Sequence, residues 1–235
     1  MAPRITMRDP LAAFLGAAAD GVVEYRYADA VKLAGHSCPT VASAYLMARA
    51  ALAALYLDTL PERGGLRVEL REDKLEGVTG VIANVASLIT GATQDSGFKG
   101  IGGRFDRREL LFFGAAIDGQ MCFTRTDTGA AVNVSARLER MPADPRIPTL
   151  LPRCLAGGAT PAEAALFRSL WQDRVRTLLV ERADDPDLIV VEKWISVDSK
   201  TTGHLPVPLP VLACFLTPLR QPSWYRRRSP WSARW

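Results

Sequence analysis

The segment Gly35-His36-Ser37-Cys38-Pro39-Thr40 constrains this chain more tightly than any other stretch. It places one of the two histidines and one of the four cysteines within three residues of each other. Val41 to Leu57, which follows, carries Val41, Ala44, Tyr45, Ala48, Ala51, Leu52 and Leu55 at helical spacing. Pro39 suits the first helical position, where its missing N–H costs nothing, and that makes Cys38 the N-cap. His36 and Cys38 then lie on the incoming segment. On an extended chain a spacing of two turns both side chains the same way. A thiol at a helix N-terminus sits at the positive end of the macrodipole, which favours the thiolate. An imidazole beside an activated sulfur is half of a zinc-type site, or a nucleophile next to a base. A cysteine near a helix start is also often just a small buried residue. Gly35 and Pro39, which fix one backbone path around it, favour the functional reading. The alanines along the helix allow close approach by neighbours, so a central helix packed on several sides is expected.

The rest of the chain supplies elements of both kinds. Asp9 to Ala19 reads as a first helix, capped at Asp9 with Pro10 in its first position. Gly21 to Val31, where Tyr25 and Tyr27 alternate with Glu24 and Arg26, fits a short strand or a turn. Leu66 to Arg71 alternates strictly, as a half-buried strand does. Gly77 to Gly91 is apolar and small, a buried helix stopped by its last glycine. Gln94 to Gly103 is a glycine-rich loop around Lys99. Backbone N–H groups and a lysine there suggest a phosphate cradle with Lys99 as a cofactor-binding residue. The spacing matches neither a Walker loop nor GxGxxG, and a mobile loop is the favoured reading. Glu109 to Phe113 reads as a strand. Gln120 to Arg125 and Ala130 to Ser135 form a hairpin turned at Asp127-Thr128-Gly129, with Cys122 as packing. Thr149 to Thr160, with Cys154, reads as a Pro/Gly loop. Thr160-Pro-Ala-Glu163 is a capping box that opens a helix to about Glu181, with Trp171 in the core. Asp187 to Glu192 is the last strand. The expected fold class is therefore α+β, with alanine-rich central helices packed on an antiparallel or mixed sheet in one core domain, 1–198.

Residues 199–235 differ in character, with four prolines between Leu205 and Leu219 and then alternating Trp, Tyr and Arg. An irregular extension is expected, and His204 and Cys214 are set aside as ligands. The formal charge of +4 belongs to this tail, which holds six Lys or Arg and no acid. Without it, 23 basic residues stand against 25 acidic ones, a charge of −2. The basic balance therefore says nothing for a nucleic-acid surface on the core, and no nucleic-acid partner is expected for it. Four cysteines without a CxxC pair fit reduced thiols in a cytoplasm better than a disulfide framework. No apolar run is long enough to predict a transmembrane segment.

With these residues laid out, the chain resembles the core domain of the FmdE family, named for a component of formylmethanofuran dehydrogenase. The family's Gly-His-x-Cys-Pro at the start of a long alanine-rich helix is matched by Gly35 to Pro39. Its second signature, a helix beginning Asp-Ala-Ile and ending Thr-Gly-Cys-Thr before a glycine-lysine loop, is matched by Asn84 to Thr93 and the loop holding Lys99. Its hairpin turn Asp-Thr-Gly-x-Ala-Val is matched by Asp127 to Val132. Leu170-Trp171 and Arg174 to Arg176 are similar to the family's late helix, and the likeness spans roughly 10–195.

The resemblance implies an α+β core, a homodimer, and an active site around His36 and Cys38 that holds zinc or another divalent transition metal. The family's C-terminal zinc finger has no counterpart here. Asn84 stands where the family has Asp and Ala92 where it has Cys, which removes a charge and a sulfur. Zinc takes about four ligands. His36 and Cys38 supply two, and a water, Asp95, Asp127 or a dimer mate must supply the rest. Three functions are consistent with this. One is a metal-dependent enzyme or metal-binding domain acting on a small substrate or cofactor. Another is a non-catalytic accessory component of a redox complex. The last is a metal-free enzyme with Cys38 as nucleophile and His36 beside it.

Overall fold

A computed structural model describes residues 1–193. The expectation for 199–235 lies outside the described residues. The fold is α+β, with six α-helices, a five-stranded mixed sheet and a separate two-stranded one among the described residues. In chain order the elements are β1 (Ile5–Arg8), α1 (Pro10–Phe14), β2 (Val22–Tyr25), α2 (Tyr27–Ala34), α3 (Pro39–Leu55), β3 (Leu66–Leu70), α4 (Thr79–Thr90), β4 (Leu111–Phe112), β5 (Met121–Arg125), β6 (Ala131–Ala136), α5 (Ile147–Leu155), α6 (Pro161–Arg176) and β7 (Ile189–Lys193).

The large sheet runs β4-β3-β5-β6-β7, with β3 and β4 parallel and every other pair antiparallel. Strict alternation in β3 does what a half-buried strand requires: Leu66, Val68 and Leu70 are buried while Arg67 points to solvent. Helix α3 is the centre of the molecule. Val41, Ala42, Ala44, Tyr45, Leu46, Met47, Ala48 and Ala51 are all buried, so the helix is enclosed on nearly every side. It packs on α2, α4, β6 and β7, and its alanines let those elements come close. Tyr45 reaches from α3 to donate to the carbonyls of Pro3 and Tyr25, each at 2.9 Å, which ties the β1–β2 pair to the core. Burial pushes its phenol up to about 12. At the other end of α3, Arg125 of β5 donates to the carbonyl of Leu55, one of the orphan acceptors of the last turn.

Four readings of the sequence change. The first helix stops at Phe14, because the chain reverses at Gly16 (φ 69°). Ile5–Arg8, which carries no strand signal, pairs with Val22–Tyr25, and the following Tyr27–Ala34 is a helix. The strand over Glu109 to Phe113 is reduced to Leu111–Phe112. The Pro/Gly loop over Thr149 to Thr160 is largely helix α5, since Pro148 occupies its first turn, where proline is tolerated. No helix among the described residues is long and apolar enough to cross a membrane.

Candidate functional site

Helix α2 ends at Gly35, whose left-handed φ of 73° turns the chain sharply toward α3. His36, Ser37 and Cys38 form the whole connection between the two helices. Cys38 is the N-cap of α3, in extended geometry (φ −150°, ψ 166°), and its Sγ accepts from the N–H of Val41 at 3.5 Å. That N–H is one of the helix's four orphan donors, and the sulfur satisfies it. Cys38 is 8% exposed.

His36 is exposed, and its Nδ1 lies 2.9 Å from the carbonyl of Ala34. A carbonyl oxygen only accepts, so Nδ1 carries a proton, and in the neutral ring the lone pair is then on Nε2. His36 therefore presents Nε2 as a free donor atom, held in orientation by its other nitrogen.

Ser37 anchors the connection to two helices. Its Oγ lies 3.0 Å from the Tyr27 hydroxyl and donates to Gln172 Oε1 at 3.0 Å. Its carbonyl accepts from Trp171 Nε1 at 3.2 Å and Gln172 Nε2 at 3.1 Å. Trp171 packs against the core and fixes the segment through its indole N–H. Burial raises the Tyr27 phenol, opposed by its bond to Ser37. Sequence reasoning singles out His36 and Cys38 but not this clamp, because Gln172 lies 135 residues away.

Among the described residues, no three His, Cys, Asp or Glu side chains gather as a metal-ligand set. Neither Asp95 nor Asp127 joins His36 and Cys38. Asp127 is held by Arg125 at 3.0 and 2.6 Å, and that side-chain bond sets its carboxyl at about 2. It braces the arginine that closes α3, a structural task. Lys99 is exposed on its loop. The loop is pinned by local hydrogen bonds: Arg107 N–H donates to the Phe98 carbonyl at 2.8 Å, and Thr93 Oγ1 to the Arg107 carbonyl at 2.6 Å. Asn84 and Ser87 line a cavity of about 390 Å³ with Arg63 and Arg107, whereas Ala92 is fully buried.

A second polar centre carries no comparable signal in the sequence. Asp9, 6% exposed, caps α1 through the N–H groups of Leu11 (2.9 Å) and Ala12 (3.2 Å). Its two oxygens also bind Arg107 Nη2 at 2.7 Å and Arg63 Nη1 at 3.0 Å. Burial alone would raise the Asp9 carboxyl; the Ala12 N–H and the two guanidiniums together hold it below its ordinary value. Burial likewise lowers Arg107, with Asp9 opposing and Arg63 adding to the fall. No local pattern links positions 9, 63 and 107. The one signal is Asp9 itself, legible as a cap.

No protein-family model matches this chain and no curated protein matches it, so residues and geometry carry the functional reading.

Proposed function

We propose that this chain is a metal-binding protein similar in plan to the FmdE core, in which His36 and Cys38 form half of a divalent transition-metal site. The observation that carries this is the bond from His36 Nδ1 to the Ala34 carbonyl, which leaves Nε2 open in the way a metal-ligating histidine is commonly held. Cys38 adds a sulfur two residues away, at the N-terminus of α3. One imidazole and one thiolate suit zinc better than a hard cation. Two ligands from one chain do not close a tetrahedral site, and a second copy of the chain supplies the other two in this reading. A bound cation would supply Lewis acidity toward a small carbonyl-bearing or cofactor substrate. The chain's own contributions are to place the Cys38 sulfur at the start of α3, to orient His36 through the Ala34 carbonyl and to fix the connection through Ser37.

Elemental analysis of the purified full chain tests this. About one zinc-class metal per two chains is expected, with Cys38→Ser and His36→Ala each reducing it to background. A folded, metal-free wild type that takes up no zinc after reconstitution under reducing conditions rules the reading out.

A further inference from the structure

The Asp9 centre opens on a cavity of about 480 Å³, walled by Arg8, Glu62, Arg63, Arg104, Phe105 and Arg107. That volume lies within the range of small-molecule sites. The cavity belongs to a different part of the molecule from His36 and Cys38, and none of its features depends on them.

Its charges do not balance as a structural ion-pair network would. Four guanidiniums face two carboxylates, Asp9 behind the wall and Glu62 on it. Asp106 also lines the cavity, but its carboxylate is taken by Arg108 at 2.7 Å. Among the described residues, Arg8 and Arg104 form no ion pair, so two positive charges remain at the cavity. Arg107 is 5% exposed, and its Nε and that of Arg63 are buried with no acceptor among the described residues. Buried donors are almost always paired, so the two arginines that line this cavity are incompletely satisfied by the groups around them.

The backbone makes room for this arrangement at some cost. Gly64 (φ 86°) lies directly under the Arg107 guanidinium, where any Cβ would overlap Nη1. Gly91 (φ 74°) leaves space for the other guanidinium, a Cβ there meeting Arg63 Nη1 at 3.1 Å. Phe105 adopts φ 65°, a left-handed conformation that side-chain-bearing residues rarely occupy, and strain of this kind concentrates at ligand sites. Its ring stands 5.4 Å from that of Phe14, and the Arg104 guanidinium lies 4.9 Å over it. An aromatic surface thus adjoins the arginines.

We propose that this cavity binds a small phosphate monoester, its dianionic phosphoryl group held by the arginines and its organic part lying against Phe105. Guanidinium forks match phosphate oxygens bidentately, and a dianion supplies the two missing negative charges.

Calorimetric titration of the full chain with phenyl phosphate, inorganic phosphate and malonate tests this. Saturable binding of phenyl phosphate is expected, tighter than that of inorganic phosphate and of the dicarboxylate. Arg104→Gln removes an exposed side chain without touching the buried ion pairs; it should leave the melting temperature unchanged and weaken phenyl phosphate about tenfold. The proposal is overturned if neither phosphate binds saturably, or if Arg104→Gln binds as the wild type does, which would place the anion elsewhere, for example on the basic C-terminal residues. Malonate binding as tightly as phenyl phosphate would show charge attraction without phosphoryl recognition. Equal affinity for phenyl phosphate and inorganic phosphate would remove Phe105 from the site.

Discussion

Asp9 does two things that pull against each other. As an N-cap it needs only a partial negative charge and a short reach. As the carboxylate that, among the described residues, binds both Arg63 and Arg107, it must stay ionised while buried, and burial by itself favours the protonated acid. The net shift is downward, so the interactions outweigh the burial. Asp9→Asn keeps the cap and the shape but removes the charge, and leaves two guanidiniums facing each other. It should cost about 3 kcal/mol at pH 7 in a urea titration, the usual penalty for breaking one side of a buried pair. The pH dependence has a definite sign. A carboxyl whose folded pKa is depressed contributes stability that is fully present above its unfolded value, near 3.9, and that disappears as pH falls through the folded pKa. The gap between wild type and Asp9→Asn should therefore be full at neutral pH and close on acidification below about pH 4. A gap that stays constant down to pH 3 would mean that Asp9 matters for shape rather than charge.

At the scale of elements, what is legible depends on how local the cause is. Cys38 with Pro39, and Thr160 with Glu163, announce helices α3 and α6, because capping chemistry is settled within four residues. Alternation marks β3, and Asp127 to Gly129 marks the β5–β6 turn, for the same reason. Strand β1 escapes notice because four residues, Ile-Thr-Met-Arg, are too few for a period to show, and their pairing with β2 is decided by Tyr45 and the core. Helix α5 is hidden by two prolines, of which Pro148 falls in the first turn and does no harm. At the α2–α3 connection, the cap and the Gly35 turn can be read, whereas the clamp on Ser37 cannot, since it comes from α6. Glycines show the same division. Gly64 and Gly77 both have positive φ, 86° and 51°, and look alike in the sequence. Gly77 faces open space, while Gly64 lies under Arg107. Gly77→Ala should cost about 1 kcal/mol, the backbone penalty alone. Gly64→Ala must also displace a buried guanidinium, and should cost at least about 2 kcal/mol more. Chemical denaturation of the two variants side by side measures the difference. Equal losses would show that Arg107 moves aside freely.

For the whole molecule, the number of chains and the metal reading are one question. A single chain brings one imidazole and one cysteine sulfur to the α2–α3 connection, and no further ligand joins them among the described residues. Closing a tetrahedral site in a symmetric assembly is simplest across a two-fold axis, where each ligand appears twice. The surface beside His36 suits such a contact. His36 is exposed, and Leu33, three residues earlier on α2, is 49% exposed although apolar. If the site forms in this way, metal binds the pair of chains and not the separate ones, so binding must shift the assembly equilibrium by mass action. Sedimentation of the metal-stripped full chain should show a mass that rises toward two chains when zinc is added and falls again with chelator. His36→Ala should abolish the rise while leaving the helical signal unchanged, since among the described residues its exposed ring makes only the bond to Ala34. If the chain pairs equally well with chelator, with zinc and in the His36→Ala variant, the interface is not built on this connection. If it remains a monomer at saturating zinc, the half-site has no partner, and His36 and Cys38 serve only to join two helices.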